Sequence, residues 1–288
     1  MEQWFVYTMV ALGAFGIQRF LYKVSAEKKC NTAWTTFSFM GTVAVMSAVL
    51  FFTAGGSVEN IWFLIFISLI NSASFLAGTI TTIEALKYIS TSVAYPAIRL
   101  NTAIVVIFSI LYFKDNLSAY QAAGIILAIT VIVILTGSAG NGRDTVVNSR
   151  FRRGIVLIFT AFTSGAVAAI SSKFAAIGTN HLAFIALSYT LSMLFSFLLR
   201  SHLQGKDENP DHRNALVIGL CMGFVNFVGF YALLRALSEG PLSIVISVTG
   251  MYFVIAVVLS AIIYRESLTP LRLAGIVLTV VSITLMRM

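Results

Sequence analysis

One stretch of this 288-residue chain recurs near its end, and both copies stand between apolar segments long enough to cross a membrane. The first copy reads Phe113-Lys114-Asp115-Asn116-Leu117-Ser118 and leads into Ala123-Gly124-Ile125-Ile126-Leu127. The second reads Tyr264-Arg265-Glu266-Ser267-Leu268-Thr269 and leads into Ala274-Gly275-Ile276-Val277-Leu278. The shared pattern is aromatic, base, acid, any residue, Leu, Ser or Thr, then Ala-Gly opening an apolar run. From 113 to 264 the copies lie 151 positions apart, just over half the chain. A duplicated membrane chain folds as two related bundles, and in secondary transporters built this way the substrate site lies where the repeats meet.

Composition places the whole chain in the bilayer. It is 58% hydrophobic and 10% charged with mean hydropathy +0.92, whereas a soluble domain carries about 25% charged residues. Met1-Glu2-Gln3 lacks the basic start of a cleavable signal, and the first apolar run is long enough to span. Cys30 and Cys221 alone make no disulfide framework and read as small packing residues. The net charge of +8 does not point to nucleic acid, because the basic residues flank apolar segments as topology signals do.

A span needs about 20 mostly apolar residues. The sequence predicts ten: Trp4–Tyr22, Ala33–Thr53, Ile61–Lys87, Ser92–Phe113, Ser118–Gly137, Gly154–Lys173, His181–Arg200, Asn214–Ala236, Pro241–Tyr264 and Pro270–Met288. The expected fold class is therefore an all-α integral membrane protein of ten transmembrane helices in two five-helix repeats. Residues 1–138 form the first repeat, 139–153 a basic linker loop and 154–288 the second repeat. Five spans per half is odd, so the second repeat inserts upside down relative to the first. Odd-numbered loops hold 13 basic residues, from Lys23 to Arg272. Even-numbered loops hold Lys114, Lys173 and Arg235, and Arg287 follows the last span. By the positive-inside rule the odd loops are cytoplasmic and both termini lie outside. Short loops suit a prokaryotic inner membrane.

The paired motif at Phe113–Leu127 and Tyr264–Leu278 resembles the EamA-like branch of the drug/metabolite transporter superfamily. Lys23 and Lys173 look like the lysine common near the end of the first span of each repeat in that family. Ala85-Leu86-Lys87-Tyr88 and Leu233-Leu234-Arg235-Ala236-Leu237-Ser238 look like its third-span endings. The resemblance covers both halves. It implies a ten-helix transporter with a central cavity formed by the first four helices of each half and the fifth helices at the periphery. The family moves amino acids, other small metabolites or drugs. Related small multidrug resistance proteins rely on a glutamate in their first helix. Here that span carries Gln18 and Arg19 and no acid, so that cation-antiport chemistry is not implied.

Ionisable groups inside hydrocarbon are costly and are functional candidates by default. Arg99 is the leading one. It follows Tyr95-Pro96 and precedes Asn101, about 11 Å into the fourth span at 1.5 Å per residue. Pro96 loosens the helix there, and a guanidinium beside the kink can bind a carboxylate bidentately. A repeat offset of 148 sets Ser243 opposite Tyr95 and Ser247 opposite Arg99. Asn101, Tyr189, Asn226, Ser243, Ser247 and Tyr252 complete the expected binding set, with Asn71, Ser74, Ser171, Ser172, Tyr231 and Thr249 as further polar positions. Pro96 and Pro241 are the expected hinges, and Glu84 the coupling candidate, three residues from Lys87 on one helix face. Gly219 with Gly223, Gly13 with Gly16, and Gly124 and Gly275 read as close helix contacts.

All four aspartates and all three histidines lie in loops or at span ends, and no paired intramembrane aspartates, zinc-protease motif, nucleophile elbow or Walker motif is present. The expectation is a secondary transporter rather than an enzyme, with no cofactor and no metal. Its partners are the bilayer and a small-molecule substrate, a carboxylate-bearing metabolite with amino-acid export as the leading case. It is expected to act as a monomer or homodimer. An exporter of lipophilic cations, which would need an acid in the cavity, and a non-transporting receptor or scaffold are the alternatives.

Overall fold

The computed structural model describes residues 3–89, 94, 98, 101–138, 149–198, 212–264 and 270–287. For residues 131–138, 149–152, 253, 257, 271, 272, 276 and 279 the description is of the backbone alone. Among the described residues the chain is all helical. Helices α1 (Gln3–Glu27), α2 (Thr32–Thr53), α3 (Ile61–Ala85), α4 (Asn101–Phe108) and α5 (Ala119–Ser138) belong to the first half. The second half contributes α6 (Ser149–Gly178), α7 (His181–Leu198), α8 (His212–Glu239), α9 (Leu242–Gly250), α10 (Tyr252–Tyr264) and α11 (Pro270–Arg287). Seven stretches of the described residues are long and apolar enough to cross a membrane, with α9 and α10 together forming one of them. Helix is what such segments must adopt, because hydrocarbon offers no partner to an open backbone amide.

Helix ends depart from the sequence expectation in instructive ways. Helix α1 runs past Tyr22 to Glu27, where Lys23 and Glu27 pair at 2.6 Å one turn apart. The ninth span is two helices rather than one. They part at Met251, whose amide bonds to the Val248 carbonyl three residues back instead of four. The break in that span falls at mid-segment and not at Pro241, which stands in extended backbone just before α9. α4 ends in a π turn, Ser109–Phe113, closed by left-handed Lys114 at φ 55.

Asparagines cap three helices: Asn31 accepts from the Trp34 amide, Asn60 from Phe63 and Asn180 from Leu182 and Ala183. The repeated motif is likewise built of end-capping chemistry. Ser118 and Gln121 form a reciprocal capping box at the start of α5, amide to side chain in both directions at 3.0 and 3.2 Å. The motif's acid acts on the other half of the chain. Asp115 Oδ2 accepts from the Ser243 amide at 3.0 Å, from Ser243 Oγ at 2.7 Å and from Ser109 Oγ at 2.5 Å, capping α9 across the halves. Beside it, buried Lys173 of α6 donates to the carbonyls of Leu237 (2.7 Å) and Gly240 (2.9 Å), a cation at the C-terminal end of α8. Asp115→Ala would leave the Ser243 amide and two buried hydroxyls without their acceptor. The expected loss is about 3 kcal/mol, from unsatisfied donors and a missing cap. Asp115→Asn keeps one acceptor oxygen and should lose less. Thermal unfolding of the detergent-solubilised variants measures both, and an Ala variant as stable as the parent would remove this role.

Each helix meets its most extensive neighbour in the other half. α1 lies on α8 while α3 lies on α6. α2 packs on α8 while α3 packs on α7. α4 touches α6 while α1 touches α9. α2–α7, α4–α9 and α5–α11 are like-with-like pairs. The pattern is unaltered when the two halves are exchanged. The fifth-span helices α5 and α11 pair chiefly with each other, through Ser282 Oγ on the Gly124 carbonyl at 2.7 Å. A Cβ on Gly124 would stand 2.7 Å from Met286 Cγ, and one on Gly16 2.5 Å from Ile255 Cβ, so both glycines permit close crossings. Gly13 does not: nothing lies within 4 Å of where its Cβ would be, because that face of α1 is not packed there.

Candidate functional site

A cavity of about 110 Å³ lies between the halves, walled by α1, α3, α4, α6, α8 and the α9–α10 break. These helices come from both halves, and the exchange pattern brings them to a common centre. At about 10–15 Å³ per water, the space holds several waters or one small solute. Its lining is mixed. Arg19, Gln18, Asn101, Asn226, Ser74 and Ser172 give polar groups, while Phe15, Phe75, Phe230 and Tyr252 give rings. Arg19 is the one ionised side chain among the described lining residues, and no carboxylate lines the space among them.

Local sequence explains how Arg19 comes to face inward. Phe15 and Tyr22 lie one turn before and after it on the same helix face. The guanidinium carbon stands 4.7 Å from the Tyr22 ring centre and 4.9 Å from the Tyr252 ring centre, so two aromatic faces hold it. Phe15 and Tyr252 meet edge to face at 6.3 Å, closing that wall. The neighbouring residue Gln18 opens a chain of buried hydrogen bonds. Tyr189 Oη donates to Asn226 Oδ1 at 2.5 Å, Asn226 Nδ2 to Gln18 Oε1 at 3.0 Å, and Gln18 Nε2 to Tyr22 Oη at 3.0 Å. This neutral relay ties α7, α8 and α1 together with every member inside the core. A fully satisfied buried network of this kind fixes side-chain positions.

On the opposite wall Asn101 is 3% exposed and its Oδ1 accepts no hydrogen bond. Its amide nitrogen lies against Gly165 of α6, at a place where any side chain would collide with it. A buried carbonyl oxygen without a protein partner at a cavity wall is an acceptor open to a ligand. Asn71 behaves differently: its amide donates to the Ala168 carbonyl, Ser171 Oγ and Ser172 Oγ, joining α3 to α6.

The residues singled out from sequence fall into four groups. Asn101, Asn226 and Tyr252 line the cavity together with Ser74, Ser172 and Thr249. Tyr189 stands behind Asn226, packed between Phe39, Phe75 and Phe230. Ser243 is bound to Asp115, and Ser247 is fully buried with an unpartnered hydroxyl; neither lines the cavity. Glu84 sits at the end of α3, taking Lys87 Nζ at 2.8 Å and Thr32 Oγ1 at 2.5 Å, outside the lining. Tyr95, Pro96 and Arg99 lie outside the described residues. The sequence reading named Arg19 only to note the missing acid. Yet Arg19 is an intramembrane cation flanked at helical spacing by aromatics, and that signal was present.

Two related halves enclosing a cavity of mixed lining inside apolar helices are the arrangement of many membrane transport proteins. The chain belongs to the EamA-like transporter family of the drug/metabolite transporter superfamily, whose model matches residues 3–137 and 152–288. It is thus an integral membrane transporter of that type. A solved crystal structure of a protein 15% identical to it superposes with a TM-score of 0.74 over 98% of each chain. At that identity the likeness speaks for the fold alone. No functionally curated protein matches the sequence.

Proposed function

We propose that this protein is a secondary transporter of ten transmembrane helices in two inverted repeats, residues 1–138 and 154–288 joined by a linker at 139–153. It exports a small carboxylate-bearing metabolite, with an amino acid as the leading substrate. Seven long and three shorter apolar helices among the described residues support this count. The exchange-symmetric packing supports the inverted pairing and an alternating-access cycle in which the halves rock about the cavity.

The observation that carries the substrate class is Arg19 in the cavity, presented by two aromatic faces. A planar guanidinium recognises a carboxylate through paired hydrogen bonds. Asn101 Oδ1, buried and without a partner, offers an acceptor for an ammonium group. Gln18 and Asn226 fix the polar floor between them. Arg99, one residue pair before Asn101 in the chain, is a second anion-binding candidate. Glu84 is held by Lys87 and Thr32, so we favour exchange or facilitated diffusion over proton antiport.

Counterflow of a labelled amino-acid panel in proteoliposomes tests this reading. Saturable counterflow is expected, with a rate unaffected by an imposed pH gradient. Accumulation driven by that gradient would overturn the coupling assignment. Flux of lipophilic cations with none for any amino acid or other carboxylate would overturn the substrate class. The membrane is expected to be a prokaryotic inner membrane with both termini outside, and the unit a monomer or homodimer.

A further inference from the structure

A second recess lies away from the central cavity, between α2, α7 and α8, at the membrane face that carries the even-numbered loops. Thr53 ends α2, His181 begins α7, and Arg235 stands one turn before the end of α8, so all three lie at one level. The recess has two adjoining parts that share Leu182 and Tyr231. One, of about 260 Å³, is polar and lined by Thr179, Asn180, His181 and Arg235. The other, of about 370 Å³, is lined chiefly by Leu50, Ala54 and Phe227. It runs out onto a surface where Leu50, Val49 and Val228 are 42%, 54% and 41% exposed.

The duplication supplies an internal control for the charge. With the repeat offset of 148, Arg235 corresponds to Lys87, and Ala232 to Glu84. Lys87 is neutralised by Glu84 at 2.8 Å. The second half has lost that acid, and among the described residues Arg235 forms no ion pair. Its guanidinium stands 5.8 Å from the Tyr7 ring centre. His181 Nε2 donates to the Ala176 carbonyl at 3.1 Å, and Thr179 Oγ1 is buried without a partner. The start of α7 lines the same space, with its Leu182 and Ala183 amides already taken by the Asn180 side chain. Exposed Glu239, one turn beyond Arg235 on α8, is an acid close enough to His181 to act on it electrostatically. At an aqueous end its field is screened over about 8–10 Å.

We propose that this recess binds an anionic phospholipid, with the phosphate held by Arg235 and Tyr231, and an acyl chain lying in the Leu50–Phe227 part. A guanidinium beside a phenol hydroxyl matches a phosphodiester. The apolar part selects a lipid over a soluble anion, because it adds burial that free phosphate cannot use.

Native mass spectrometry of the purified full chain, with phosphatidylglycerol or phosphatidylethanolamine added, tests this. Phosphatidylglycerol should be retained at least about tenfold over phosphatidylethanolamine, and Arg235→Gln should abolish the preference. Tyr231→Phe and Leu50→Asn should each weaken retention several-fold, and they decide the matter if Arg235→Gln fails to fold. Equal retention of the two lipids, or undiminished phosphatidylglycerol binding in the variants, would overturn the site. Inorganic phosphate that binds alone and displaces the lipid would overturn the lipid assignment and make it a soluble-anion site.

Discussion

Arg19→Ala is expected to reduce saturable transport about 100-fold while leaving the protein folded. The guanidinium borders the cavity between two aromatic faces, and its removal takes away charge-assisted hydrogen bonds to substrate together with its stacking on Tyr22 and Tyr252. Such bonds contribute about 1.5–3 kcal/mol each, and about 2.7 kcal/mol corresponds to two decades in affinity. Arg19→Lys keeps the charge but loses the planar fork and much of the stacking on Tyr22 and Tyr252. It should fall between parent and Ala, with the loss seen in KM more than in maximal rate. The informative comparison is with Arg99→Ala in the same proteoliposomes. Flux intact in Arg19→Ala but lost in Arg99→Ala would move the carboxylate site to the fourth span. Arg19 would then be a structural cation held by its tyrosines. An unchanged melting temperature in the Arg19→Ala variant is the control that separates these outcomes.

Gly219→Val combined with Gly223→Val is expected to prevent recovery of monodisperse protein. The two glycines, one turn apart on α8, lie against α2. A Cβ at 219 would stand 2.6 Å from Ser38 Cβ and 2.7 Å from the Thr35 carbonyl oxygen. One at 223 would stand 2.5 Å from Thr42 Cβ and 2.9 Å from the Phe39 carbonyl oxygen. These obstacles are backbone and Cβ atoms that no rotamer change can move. Ser38 Oγ also donates to the Leu216 carbonyl at 2.8 Å across the crossing, a bond that needs the helices this close. Overpacking costs about 1–3 kcal/mol per site, and in lipid no gain in burial offsets it. Gly13→Val serves as the matched control and should be near neutral, since nothing lies within 4 Å of that position. If the double variant purifies and melts like the parent, the close α2–α8 crossing is not what holds the halves together.

Much of the architecture was legible in the chain. The apolar segments, the duplicated motif and the family resemblance are local properties, readable within windows of about 20 residues. Of the nominated site residues, Asn101, Asn226 and Tyr252 do reach the cavity, because each is a polar group that hydrocarbon would otherwise leave stranded. Other assignments depended on partners far away in sequence. The motif acid Asp115 reads as a loop charge until Ser243, 128 residues on, is seen to be capped by it. Ser243, expected in the binding set, has its amide and hydroxyl on that carboxylate and does not line the cavity. Glu84 looked like a coupling acid, and its neighbours Lys87 and Thr32 hold it at the helix end. Arg19 is an intramembrane base whose facing, toward cavity or lipid, is set only by how α1 crosses its neighbours.

The sequence by itself determined that the chain enters the membrane, that it is helical there and that it is built twice, since hydropathy and backbone satisfaction act segment by segment. It also determined the capping chemistry at several turns, because Asn or Ser with Gln at the right spacing needs no distant partner. Only the tertiary structure decided which faces look at lipid, at another helix or at the cavity. In a soluble protein a polar stripe marks the outer face of a helix. Here lipid is as apolar as the interior, so both faces of a span carry the same residue types. The inward turn of Arg19, Gln18 and Asn226 becomes visible only once α1 and α8 cross.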